Sequence, residues 1–184
     1  MDSENNIEIQ NEFLEKDEHY MREALLEAQK AMDSGEVPIG CVIVYNDEII
    51  GRGHNLRNSK KNPLCHAEIS AINEAAGFMG DWRLEECTLY VTVEPCPMCA
   101  GAIVQARIPD VVFGTRNVKA GCAGSILNLL DEPRFNHQVN IREGILQAEC
   151  AAPMSEFFKN FRKSWQKRRA AEKAALEAEN NENE

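Results

Sequence analysis

The 184-residue chain has no apolar run near the roughly 18 residues that a membrane-crossing helix needs, which argues against an integral membrane protein. Nor does it open on a basic, apolar leader. Met1-Asp2-Ser3-Glu4-Asn5-Asn6 is acidic and polar, unlike a signal peptide, so a cytoplasmic protein is expected. There is no internal repeat, which excludes solenoids and propellers. A framework of paired cysteines is missing as well. Of seven cysteines, two form Cys96-Pro97-Met98-Cys99. Cys41, Cys65, Cys87, Cys122 and Cys150 stand singly among apolar neighbours and read as reduced core residues. Cys65 adjoins His66 and could instead sit close to a metal site, although packing is the simpler role.

An excess of positive charge is also lacking: the formal net charge is −10. That balance would argue against a polyanionic partner if it were uniform. It is not. Residues 1–20 hold seven acids and one base, and residues 170–184 hold five acids and one base. The remaining 18 acids and 18 bases cancel between residues 21 and 169, so the acidity belongs to the ends. Local charge decides nucleic-acid binding, and it remains open on this count.

What is present fits one domain with an apolar content of 43%, enough for a core. Residues 1–16 are expected to be a flexible acidic tail, residues 17–169 the folded domain and residues 170–184 a second acidic tail. Met21, Ala24, Leu25, Ala28, Ala31 and Met32 recur at helical spacing, with Asp17 as a candidate cap and Gly35 as a stop. Cys41–Tyr45 and Ile49–Gly53 read as strands joined by a hairpin turn at Asn46-Asp47-Glu48. A polar loop with Pro63 precedes a helix from about His66. Cys87–Val93 reads as a strand, Pro97 opens a helix, and Asp110–Phe113 is a strand; this run makes a crossover that pairs two parallel strands. Ser125–Leu130 is weakly helical, Val139–Ile141 is a short strand, and the chain is helical from Met154 to about Leu176. The order implies a mixed sheet covered by helices.

The chemistry concentrates in His66-Ala67-Glu68 and Pro95-Cys96-Pro97-Met98-Cys99. One imidazole and two thiolates are zinc ligands, and three protein ligands leave the fourth position for water, the form of a catalytic centre. Both halves fall at helix starts, where the helix dipole favours thiolate over thiol. Zinc lowers the pKa of a bound water from 15.7 to about 7. Glu68 is a spare carboxylate two residues from a ligand and a candidate for shuttling protons, a role typically worth about 10²–10⁴ in rate. Positions i and i+2 of a regular helix do not face each other, so the role depends on the geometry of the first turn. A lone C-x-x-C is often redox-active or structural. Here no fourth Cys or His has suitable spacing, since His19, His54 and His137 are isolated.

From Glu36 to Phe161 the chain resembles the bacterial tRNA-specific adenosine deaminases of the cytidine-deaminase-like superfamily. The matching stretches include Glu36-Val37-Pro38-Ile39-Gly40, Gly53-His54-Asn55, His66-Ala67-Glu68-Ile69, Val93 through Ala102, Val111-Val112-Phe113-Gly114, Gly124-Ser125 and Glu143-Gly144-Ile145-Leu146. The zinc motif alone marks the superfamily. Met98 with Cys99-Ala100-Gly101-Ala102, the late Glu-Gly-Ile-Leu segment and Phe157-Phe158 point to the tRNA enzymes. The resemblance implies an α/β fold of three layers, α-β-α, with a mixed, mostly five-stranded sheet. It implies one Zn²⁺ per subunit held by His66, Cys96 and Cys99, with Glu68 catalytic. It also implies deamination of adenosine to inosine at the wobble position of a tRNA anticodon stem-loop, a homodimer, and a contact from Asn55 to the flipped base. Two other readings share features of the site: a zinc deaminase of a free base or nucleoside, and a non-catalytic zinc-stabilised subunit, against which Glu68 argues.

The family usually carries Asp where this chain has Asn117. A carboxylate there would accept from a ribose 2′-OH and repel phosphate, so Asn117 is expected to relax the preference for RNA over DNA. The final helix carries Lys159, Arg162, Lys163, Lys167, Arg168 and Arg169 among Phe157, Phe158, Phe161 and Trp165. The aromatics lie on one face and read mainly as packing. The bases form a candidate phosphate-contacting edge, with Arg162 and Lys163 as substrate-binding candidates and Arg57, Lys60 and Lys61 as possible additions.

Overall fold

The computed structural model describes the backbone of residues 2–182 and the side chains of residues 13–173. Five strands lie in the order β2-β1-β3-β4-β5. They are β1 (Gly40–Tyr45), β2 (Glu48–His54), β3 (Thr88–Val93), β4 (Asp110–Thr115) and β5 (Asn140–Glu143). β1 runs antiparallel to β2 and β3, whereas β3, β4 and β5 are mutually parallel. The expected β3–β4 crossover is therefore present. Asn46 and Asp47 take φ of 47° and 64° and make a two-residue turn between β1 and β2, a left-handed geometry that Asn and Asp tolerate.

Strand alternation divides the core in two. Cys41, Ile43, Leu89, Val91, Val111 and Phe113 point to one face, where they meet helices α2 (Ala67–Met79) and α3 (Pro97–Gln105). Val42, Val44, Tyr90 and Val112 point to the other, against Tyr20, Met21 and Ala24 of α1 (Asp2–Asp33) and Cys150 of α4 (Gln147–Glu182). The result is the expected three-layer α-β-α sandwich with a mixed five-stranded sheet.

Three local expectations need correction. The first helix begins at Asp2, not Asp17. Residues 2–33 contain no glycine or proline, so no residue breaks the helical backbone even where the sequence shows no apolar stripe. Asp17 is thus no cap. It is buried inside α1, accepting from Tyr90 Oη at 2.9 Å and from Arg142 Nε at 2.7 Å, which ties α1 to β3 and β5. Ser125–Leu130 is not helical; Ala123 and Asn128 form an isolated bridge there. The last helix starts at Gln147 and passes through Pro153, which removes one backbone donor without ending it, and it continues to Glu182 across the expected boundary at residue 170. The side chains of residues 1–12 and 174–184, which belong to the two expected tails, lie outside the described residues.

Two glycines of β2 let α2 approach the sheet. A Cβ on Gly53 would sit 2.1 Å from the Ala67 carbonyl oxygen and 2.7 Å from the Ala71 nitrogen. Both neighbours are helix backbone and cannot turn aside. Gly53→Ala is therefore expected to destabilise the fold by about 1–3 kcal/mol or more. It should also displace the start of α2, which bears Glu68. Denaturant unfolding checks this; an unchanged midpoint would contradict the packing account.

Candidate active site

β2, β3 and β4 all end on one edge of the sheet, and the starts of α2 and α3 converge there. The carboxyl ends of strands beside helix N-termini are the usual place for a site in such sheets. His66 caps α2 with φ −85° and ψ 158°, and Cys96 caps α3 with φ −76° and ψ 173°. Neither side chain makes a capping bond, so both are free to act as ligands. Pro97 occupies the first turn of α3 and fixes the entry of the chain. Because His66 has extended backbone, its side chain does not follow the helical period. That removes the objection that residues two apart on a helix face apart.

His66, Cys96 and Cys99 place one donor atom each within 4.8 Å of one another. The His66 Nδ1 lies 3.7 Å from the Cys96 sulfur and 3.5 Å from that of Cys99. The hydrogen bond from Cys99, with a second from His66, pulls the Cys96 thiol down to about 4 despite its burial. The same bond, with burial, pushes Cys99 well up, and the bond to Cys96 raises His66. Sharing protons supplies one thiolate. A divalent cation that displaced the proton of Cys99 and the one His66 shares with Cys96 would complete a set of two thiolates and one imidazole, which suits zinc. Cys65 lies outside this group. Glu68, the second residue of α2, is only 4% exposed, and burial raises its carboxyl above the usual range.

These groups open onto a cavity of about 700 Å³ lined in part by Asn55, Arg57, His66, Glu68, Cys96 and Asn117. Val37, Ile39 and Val93 add apolar wall, and α4 contributes Met154, Phe158 and Arg162. Of the residues expected to serve the site, the three donors, Glu68, Asn55, Arg57, Asn117 and Arg162 converge here. Lys163, Lys60 and Lys61 are not part of the wall. Lys163 follows Arg162 on a helix, and consecutive helical positions point about 100° apart.

Asn117 lines the cavity, but its side chain has local duties. Its Oδ1 accepts from the Lys119 and Ala120 N–H groups at 3.3 and 3.2 Å, forming a turn. Its own N–H donates to Glu94 Oε2 at 2.8 Å. The buried Glu94 carboxylate also receives Ala123 N–H at 3.0 Å, Ser125 N–H at 2.9 Å and the Ser125 hydroxyl. One acid thus holds the whole 117–125 segment against the ligand loop. Burial pushes Glu94 up, but the bonds from Ser125 and Asn117 outweigh it and hold the carboxyl below its ordinary value. Sequence reasoning assigned no role to Glu94 or to Glu36. An acid directly before Pro95-Cys96, at the end of an apolar strand, was the available signal.

The family model described as MafB19-like deaminase matches residues 15–162. The tRNA-specific adenosine deaminase of Bacillus subtilis (strain 168) is 53% identical over 158 residues, covering 86% of this chain and 96% of the relative. The chain belongs to the tRNA-specific adenosine deaminase family. Another family member, from Streptococcus pyogenes serotype M18, is 50% identical over 149 residues, 81% of this chain and 94% of its own. A solved structure from a study of A-to-I editing by tRNA:A34 deaminases at the wobble position of transfer RNA superposes with a TM-score of 0.71. It shares 37% identity and covers 73% of this chain and 98% of its own. Membership in the tRNA-specific adenosine deaminases accounts for the common fold.

Proposed function

We propose that the protein hydrolyses adenosine to inosine at the wobble position of a tRNA anticodon. Water replaces the 6-amino group, which leaves as ammonia. The observation that carries this reading is the cluster of His66, Cys96 and Cys99 beside buried Glu68 in one open cavity, in a chain of this family. A zinc ion held by the three donors would supply Lewis acidity and a water activated near neutral pH. Glu68 takes one proton of the attacking water and gives it to the ring nitrogen, then takes the second from the new hydroxyl and gives it to the leaving amine. Its raised pKa suits a group that must both accept and donate. Asn55 bonds the flipped base, and the apolar walls at Val37, Ile39 and Val93 strip water from the purine.

The polynucleotide part of the reading is supported by charge at the cavity mouth. Arg57 and Arg162 line the cavity, and residues 157–171 hold six bases and no acid. Replacing a phosphate-contacting cation should reduce the salt slope of tRNA binding by about 1. Arg162→Ala is expected to do so, and Lys163→Ala to have the smaller effect because Lys163 stands off the wall. Binding titrations between low and physiological salt would read the slopes; an unchanged slope for Arg162→Ala would contradict the placement of RNA along α4.

Asn117 bears on the sugar. A neutral amide at this part of the wall repels no phosphate and binds a 2′-OH less firmly than a carboxylate would. Asn117→Asp is therefore expected to shift the ratio of rates on RNA and DNA hairpins toward RNA, and equal ratios for both proteins would overturn the idea. A homodimer in which both subunits contact substrate fits the exposure of Leu64, Phe78 and Trp82 around α2. Among the described residues no helix is long and apolar enough to cross a membrane. A tRNA substrate would be met in the cytoplasm. A rate on an anticodon stem-loop far above that on free adenosine is the expected result; the reverse would favour a nucleoside deaminase.

A further inference from the structure

Glu36 lies in the link between α1 and β1 and is fully buried. Its N–H donates to the Ala31 carbonyl at 2.9 Å, just past Gly35, which takes a left-handed φ of 72°. A buried carboxylate is costly unless donors surround it. Those of Glu36 come from one short turn beyond β2. Asn55 Nδ2 donates to Oε2 at 3.4 Å, and Ser59 donates to Oε1 through its N–H at 2.5 Å and its hydroxyl at 2.8 Å. One carboxylate therefore bridges Asn55 to Ser59 across the start of this turn.

That turn is part of the site. Asn55 and Arg57 both line the cavity that contains His66, Glu68 and Cys96. The main chain of Asn55 is already fixed, since its N–H donates to the Ile39 carbonyl at 3.1 Å. What the backbone does not fix is which way the side-chain amide faces. An ionised carboxylate only accepts hydrogen bonds, so Glu36 selects the Asn55 nitrogen and turns the amide oxygen away. One amide N–H is then spent inside the protein. The oxygen and the second N–H are what Asn55 can offer a base.

We infer that Glu36 is a positioning residue for base recognition: it fixes the orientation of the Asn55 amide. The inference rests on the reading of Asn55 as the base contact. Glutamine in place of Glu36 has nearly the same shape but carries both a donor and an acceptor. It can face either end of the Asn55 amide, and the orientation is no longer selected.

The test uses Glu36→Gln, Asn55→Ala and the double variant, each with its zinc content measured. In the stem-loop assay, Glu36→Gln alone is expected to lower kcat/KM about tenfold, the order of one buried hydrogen bond. In the Asn55→Ala background it should cost less than about twofold, because the residue it acts through is gone. A merely structural role would give the same loss in both backgrounds, and that outcome, or no loss in the single variant, would overturn the inference. Nuclear magnetic resonance of the Asn55 side-chain amide reads the orientation without turnover. One amide proton should be slow to exchange in the wild type and fast in Glu36→Gln. Identical exchange in the two proteins would overturn the inference. If the wild type forms no inosine while the exchange rates differ as expected, the functional reading fails and the positioning stands.

Discussion

Glu68→Gln should lower inosine formation by about 10²–10⁴ while leaving the zinc site filled. The substitution keeps the volume of a side chain that is 4% exposed, so packing at the start of α2 is preserved. It leaves the three donor side chains, His66, Cys96 and Cys99, themselves unchanged. What it removes is a carboxyl that can take a proton and give it back. Burial holds that carboxyl above its ordinary range, closer to the pH at which a shuttle works best. Steady-state rates and zinc per chain, measured together, check the result. Loss of zinc along with activity would recast Glu68 as a support for the metal, and unchanged activity would remove it from the chemistry.

Loss of a metal donor is the second large effect. Cys99→Ala takes a fully buried thiol from the first turn of α3. Zinc affinity is expected to fall by more than the roughly 10–100-fold that follows loss of a group merely bonded to a ligand. Activity should fall with it. A chelator should do the same to the wild type reversibly, with activity restored by added zinc. The fold should survive both treatments at a lower unfolding temperature, because the two faces of the sheet carry their own apolar clusters. Retention of full activity after exhaustive chelation would contradict the assignment of the site.

How far the sequence carries depends on the kind of signal. β1, β3, α2 and α3 are legible because apolar alternation and proline placement are local properties, and the zinc motif is legible because its spacing is. The first fifteen residues of α1 are not, since periodicity detects a buried stripe and a helix can persist without one. Ser125–Leu130 misleads for a different reason. Ile126, Leu127, Leu129 and Leu130 suggest a helix, but their backbone groups are spent elsewhere: the Leu129 N–H goes to the Cys122 carbonyl, and the Leu127 and Leu130 carbonyls accept from Gly124 and Val139. Arg162 and Lys163 look equivalent as neighbours, yet only Arg162 lines the cavity. Glu36 opens a matching stretch but takes no role from the sequence, because its partners Asn55 and Ser59 are joined to it only by the fold.

The most direct measurement is sequencing of the wobble base of an adenosine-bearing anticodon stem-loop after incubation with the zinc-loaded protein. Inosine pairs as guanosine, so conversion reads as an adenosine-to-guanosine change at that position. The account predicts this change with the wild type and its loss with zinc-loaded Glu68→Gln. An unmodified wobble base after incubation with the zinc-loaded wild type, alongside ready deamination of free adenosine, would contradict it.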